Sequence, residues 1–193
     1  MILTPQLLYS AYSQGYFPMA ESRDSAEIFW HMPDPRAIIP LNNINVPHSI
    51  RQIFNKNIFS FTINRDFETV IFNCAKRDET WINNEIISAY IDMNKLGFAH
   101  SVEAWKDSKL VGGLYGVHIG GAFFGESMFN TVDNASKLCF YYLCAILVKN
   151  NFLLLDSQYG NSHTYSLGAV DISSEEYFKL LNPALNIFCD FKI

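Results

Sequence analysis

Apolar residues along this chain switch between helical and alternating spacing, and the switches mark out its elements. Leu7, Leu8, Ala11 and Tyr12 form one face of a helix over residues 4–14. Thr4 is placed to cap it, Pro5 suits its first turn, and Gly15 ends it. Residues 18–36 are broken by Pro18, Pro33 and Pro35 around a short apolar Ile28-Phe29-Trp30, and Pro40 with the asparagine-rich 42–45 makes a second break. A helix is expected over 48–55, an alternating strand over 59–65, and a helix over 67–77 with Val70, Ile71 and Cys74 on one face. Thr80 is expected to cap a further helix over 83–96, stopped by Gly97.

Three strands should follow over 100–106, 109–119 and 122–129, turning at Lys106-Asp107-Ser108 and at Gly120-Gly121. Residues 134–150 carry Leu138, Tyr142, Ala145 and Ile146 as a helical stripe, with Asn134 or Ser136 available as cap. A short strand over 152–156 and a last helix over 174–181 complete the reading. Helices wrapped on a mixed, largely antiparallel sheet make the fold class α+β. A seam is expected near residues 42–58, separating a small N-terminal piece (1–50) from the main unit (51–193).

Composition narrows the function. With 49% hydrophobic residues the chain can bury a sizeable core. Its net charge of −5 argues against broad, non-specific nucleic-acid binding, which depends on Lys and Arg neutralising phosphates. Cys74, Cys139, Cys144 and Cys189 form no CxxC pair, which argues against a metal site and for a reducing compartment. The N-terminus lacks the pattern of a signal peptide and no run is long enough for a membrane span, so a cytoplasmic protein is expected. Phosphate-loop, dinucleotide, zinc-protease and nucleophile-elbow motifs are all missing from the sequence. The chain offers polar groups for acid–base or positioning work without a visible cofactor.

Three polar residues stand at the ends of apolar runs. Glu126 follows Phe123-Phe124-Gly125 and reads either as a carboxylate at the mouth of an apolar pocket, pairing with a cation, or as a solvated strand-end glutamate. Asp156 and Gln158 follow Phe152-Leu153-Leu154-Leu155, and their spacing of two puts both on one side of an extended backbone. An aspartate there can orient the glutamine amide, or it can simply begin a turn. Trp30, Trp81 and Trp105 can stack on a base or pack in the core. Phe123, Met128, Phe140 and Leu143 read as core, with Met suited to an adaptable pocket. His163 reads as satisfying a loop.

The stretches GYFPMAESRDSAEIFWHMPDPRAIIPL (15–41), CAKRDETWINNEIISAYIDMNKLGFAHSVEAW (74–105), LVGGLYGVHIGGAFFGESMFN (110–130), NASK (134–137) and LLLDSQYGNSHTYSLGAV (153–170) together carry a family resemblance. The chain resembles the leucyl/phenylalanyl-tRNA–protein transferases, bacterial enzymes of the N-end rule pathway. The resemblance implies a GNAT-like main domain and a monomer. It implies transfer of Leu or Phe, with Met as a further donor residue, from aminoacyl-tRNA to the α-amino group of proteins beginning with Arg or Lys. The tRNA ester is already activated, so the resemblance implies neither ATP nor metal and no cofactor. Asp156 and Gln158 match the catalytic pair, and Glu126 matches the carboxylate that recognises the acceptor. Phe123, Met128, Phe140 and Leu143 match the aminoacyl pocket, and Trp30, Trp81 and Asn161 match positions near the terminal adenosine.

The chain departs from the family pattern in three places. Its N-terminus is expected to be shortened, with Met1 just past a glycine-rich run. The usually basic segment reads NVPHSIRQ (45–52), with Arg51 its only Arg or Lys, and a basic position late in the chain is Ser173 or Ser174. Two alternatives differ in chemistry. An acyl-CoA-dependent N-acyltransferase would carry a [QR]xxGx[GA] loop, which is missing. A non-catalytic binder of basic N-termini or aminoacyl-tRNA would not need Asp156 and Gln158. A peptidoglycan-type aminoacyl-tRNA transferase is a third reading within the same chemistry.

Overall fold

The computed structural model describes residues 2–193. Helix α1 (Pro5–Ser13) opens the chain, with the Thr4 hydroxyl accepting from the Leu7 N–H. Strands β1 (Phe17–Ala20) and β2 (Ile28–His31) pair as a separate antiparallel ribbon. Then come β3 (Arg36–Ile39), α2 (His48–Asn55), β4 (Ser60–Ile63), α3 (Phe67–Ala75) and α4 (Asn84–Lys95). The cap of α4 is Asn83, whose side chain accepts from Ile86 N–H, rather than the expected Thr80. Asn83 stands directly before the first helical residue, where a side-chain oxygen reaches the free N–H groups. Thr80 instead accepts from Ile82.

The hairpin strands β5 (Ala99–Lys106), β6 (Lys109–Ile119) and β7 (Ala122–Asn130) lead into α5 (Ala135–Lys149). The chain ends with β8 (Leu154–Gln158), the short α6 (Ser162–Ser166), β9 (Val170–Ile172) and α7 (Ser174–Leu185). Seven strands form one sheet in the order β4-β5-β6-β7-β8-β3-β9. Among the described residues only β7 and β8 run parallel, so the α+β expectation of a mixed, largely antiparallel sheet flanked by helices holds.

Strand alternation divides the core between the two faces. Tyr115, Val117, Ile119 and Phe124 pack with α1, α3, α4 and α7 on one face. Leu114, Phe123 and Leu155 pack with α2 and α5 on the other. Gly112 lets α5 lie close, because a Cβ there would stand 2.6 Å from that of Ala135.

Two single-residue insertions break this regularity side by side. Tyr115 pairs with Ser127 and Gly116 with Gly125, so Glu126 is an extra residue in β7. Ala37 pairs with Gln158 and Ile38 with Asp156, so Ser157 is an extra residue in β8. The parallel β7–β8 ladder ends at Phe124 and Asp156, immediately before both bulges. Bulges bend a strand and re-aim its side chains. The two strands therefore part, and a gap opens through the sheet.

Candidate active site

The gap is a cavity of ≈ 330 Å³. Its walls come from both faces of the sheet. Met128, Phe140, Leu143 and Leu155 contribute an apolar side from the α5 layer, while Trp81, Tyr115, Glu126 and Gln158 lie toward the other mouth. Glu126 is half-buried on its bulge. Its carboxylate accepts from the Gln158 amide at 2.7 Å, from the Tyr12 hydroxyl at 2.6 Å and from the Tyr90 hydroxyl at 3.3 Å. The two tyrosine hydroxyls also meet one another. Burial, then the Glu126 charge, raises both tyrosines well above their usual range, so both remain protonated donors. Burial pushes Glu126 up to about 7, against the lowering effect of the hydrogen bonds from Tyr12, Gln158 and Tyr90. Among the described residues it forms no ion pair.

Asp156 sits across the gap in a different setting. It is fully buried and forms a two-pronged ion pair with the buried Arg36: Nε to Oδ1 at 3.0 Å and Nη2 to Oδ2 at 2.7 Å. The Tyr177 hydroxyl donates to Oδ2 at 2.7 Å, and the backbone N–H of Gln158 donates to Oδ1 at 2.8 Å. Asp156 therefore orients Gln158 through its backbone, while the carboxamide is held by Glu126. Gln158 needs that hold, because its φ of 64° lies in the left-handed region, which costs a residue with a Cβ about 1 kcal/mol or more.

Residues 38–182 match the model of the leucyl/phenylalanyl-tRNA protein transferase family, and residues 1–34 match that of the family's N-terminal domain. The chain belongs to this family. It is 44% identical to the leucyl/phenylalanyl-tRNA–protein transferase of Rhodospirillum rubrum, over 99% of this chain and 92% of that protein. It is 45% identical to the one from Gloeobacter violaceus, over 98% of each. A likeness to the solved structure of L-PGS from Bacillus licheniformis, at TM-score 0.46 and 12% identity over 82% of this chain and 54% of that one, is too distant to carry an argument.

As a member of this family, the protein is an aminoacyltransferase. Its cavity is lined by Asp156, Gln158, Glu126, Met128, Phe140, Leu143, Trp81 and Asn161 from the sequence reading. Asn161 also caps α6, accepting from His163 and Thr164. Phe123 and Trp30 do not line it. Phe123 is wholly buried against Phe191, with ring centroids 5.4 Å apart. Trp30, on β2, lines a separate recess with Leu3 and Ile28. His163 does reach the cavity, its Nε2 lying 3.2 Å from the Met128 sulfur.

Four residues escaped the sequence reading: Arg36, Tyr177, Tyr90 and the polar end of Tyr12. The one available signal was Arg36, a cation at the head of the apolar Ala37-Ile38-Ile39. Among the described residues no group of His, Cys, Asp and Glu is arranged to hold a metal, and no helix is long and apolar enough to cross a membrane.

Proposed function

We propose that this transferase moves Leu or Phe from aminoacyl-tRNA onto proteins whose first residue is Arg or Lys, at the gap between β7 and β8. One observation carries the reading: Gln158 and Glu126 meet at 2.7 Å where an apolar recess opens to a polar mouth. The aminoacyl side chain enters the α5 side, between Met128, Phe140 and Leu143, and the basic acceptor arrives at Glu126. The acceptor amine sheds one proton and attacks the ester carbonyl. The carbon–oxygen bond to the ribose breaks, and the departing oxygen takes the second amine proton. Gln158, its Nε2 already committed to Glu126, offers its amide oxygen to the amine. An amide is too weak a base to hold that proton, so its contribution is orientation. Trp81 and Asn161 border the same cavity, which supports a place near the terminal adenosine.

The sheet, with helices on both faces and two parted parallel strands, supports a GNAT-like catalytic unit. We also propose a monomeric, cytoplasmic protein in two parts, 1–50 and 51–193. The separate β1–β2 ribbon supports a distinct N-terminal piece, while β3 draws residues 36–39 toward the catalytic one.

The test is transfer of labelled Phe from phenylalanyl-tRNA to peptides beginning with Arg, Lys, Asp or Ala. Label on the Arg and Lys peptides alone, lost in Gln158→Ala, is the expected result. Label on the Asp peptide would overturn the acceptor class. No transfer by folded protein at low salt would favour the non-catalytic binder.

A further inference from the structure

We infer that Arg36 is a positioning residue for the transfer: with Asp156 it forms a neutral clamp that sets the backbone of Gln158, and Asp156 acts through this clamp rather than as a carrier of protons. The inference rests on the proposed role of Gln158 and extends it to residues outside the cavity mouth.

Saturation of the carboxylate is the first argument. Asp156 receives four donors, two from Arg36, one from Tyr177 and one from Gln158 N–H. A carboxylate has about four lone-pair sites, so none is left for the acceptor amine or for the Gln158 carboxamide. Its charge is met by a guanidinium in the two-pronged geometry that is most directional. At 0% exposure the Asp156 side chain does not reach bulk solvent.

The second argument is what Arg36 holds together. Its Nη1 donates to the Gly15 carbonyl at 2.9 Å, just past the end of α1. Its guanidinium carbon lies 5.0 Å from the Phe17 ring centre and 4.6 Å from that of Tyr177. Burial pulls the guanidinium down, and Asp156 more than reverses this, so Arg36 stays a cation. One side chain thus ties α1, the N-terminal ribbon, β3, β8 and α7 to a single point. That point is next to the bulge, where Ala37 faces Gln158 and Ser157 has no opposite partner. The clamp holds Gln158 in its left-handed backbone, and the same residue's side chain reaches Glu126 across the gap.

The experiment compares Arg36→Lys, Arg36→Gln, Asp156→Asn and the double variant Arg36→Gln/Asp156→Asn. Each is assayed for Phe transfer to an Arg-initial peptide between pH 6 and 9, with its Tm measured alongside. Asparagine keeps an oxygen for Gln158 N–H, and glutamine keeps a donor for it, so the double variant is a neutral copy of the clamp. Asp156→Asn alone strands a buried cation and should lower kcat by about 10²-fold, the cost of a misplacement near 1 Å. The double variant should recover at least ~10-fold of that, as coupled neighbours do. It should keep the acid limb of the kcat profile at the wild-type pH. Arg36→Lys retains charge without the fork, and should lower kcat by about 10-fold with both KM values unchanged.

A folded double variant no more active than Asp156→Asn, or one whose acid limb has vanished, would overturn the inference by making the Asp156 carboxylate itself the reacting group. Should the double variant fail to fold, Arg36→Lys decides: wild-type kcat in that folded protein overturns the clamp. Failure of the site reading itself looks different, since Gln158→Ala would then transfer Phe at the wild-type rate.

Discussion

The two walls of the gap carry a carboxylate each, and the two are treated in opposite ways. On β8, Asp156 is wholly buried, matched by a guanidinium, and closed off by four donors. On β7, Glu126 is half-buried and met only by neutral groups, two tyrosine hydroxyls and an amide. A charge that is neutralised in place fixes geometry and has little left for a ligand. A carboxylate held by neutral donors keeps its charge available to whatever cation enters. The pair shows how one site keeps a rigid wall and a responsive wall within a few residues of one another.

The largest expected effect comes from breaking the rigid wall. Asp156→Ala leaves Arg36 buried and unpaired, which typically costs about 3–5 kcal/mol. For a chain of this size that is a loss of roughly 6–20 °C in Tm, with transfer down at least ~100-fold. Calorimetry beside a transfer assay checks both, and wild-type stability would mean that the ion pair does not hold the fold. The responsive wall should fail differently. Glu126→Ala should raise the KM for an Arg-initial peptide about 10–100-fold, as a lost charged hydrogen bond does, with a smaller change in kcat. Unchanged acceptor kinetics would remove Glu126 from acceptor binding.

The pH response separates the walls further. Glu126 sits at about 7 in the fold against an ordinary 4.5, so the folded protein binds more protons across that window. Stability is then greatest at the acid end and declines as pH rises from about 4.5 to 7. Acceptor affinity should move the other way, with KM falling as Glu126 ionises. Glu126→Gln should flatten both trends, and titrating Tm and KM from pH 5 to 8 in the two proteins tests this. The smallest effect concerns the lining. Leu143→Phe should lower transfer of Phe relative to Leu about 10-fold by filling the recess. Phe123→Leu, outside the recess, should cost about 1 kcal/mol of stability and leave donor choice alone.

Most elements could be read from the chain because their spacing is clean. The β6–β7 hairpin has its Gly120-Gly121 turn, and α5 has its apolar stripe. β3 escaped because Pro35 and Pro40 leave only four residues between them, which reads as loop. β8 runs two residues further than expected. Asp156 looks like a polar strand end in sequence, yet it is satisfied in place by Arg36, 120 positions away. The site was legible in its residue types and not in its wiring. Alternation predicts which way Glu126 points only if no residue is inserted, and the bulge is invisible to a period of two. Gln158 was expected to lean on Asp156 by its amide, and it leans by its backbone.

That inserted residue has a consequence for how the pocket can change. Phe124 and Phe129 belong to one core layer while Phe123 and Met128 belong to the other, so the parity of β7 flips at Glu126. Removing a single codon there would leave Ser127 opposite Tyr115 and Gly125 opposite Gly116, so β7 would run as an unbroken strand with Met128 and Phe129 on their present faces. What would go is the bend that parts β7 from β8, with the carboxylate lost in the same event. Point substitutions can trim this pocket by degrees, but its opening is counted in whole residues. A lineage that loses this one straightens the strand and gives up the Glu126 carboxylate in a single step.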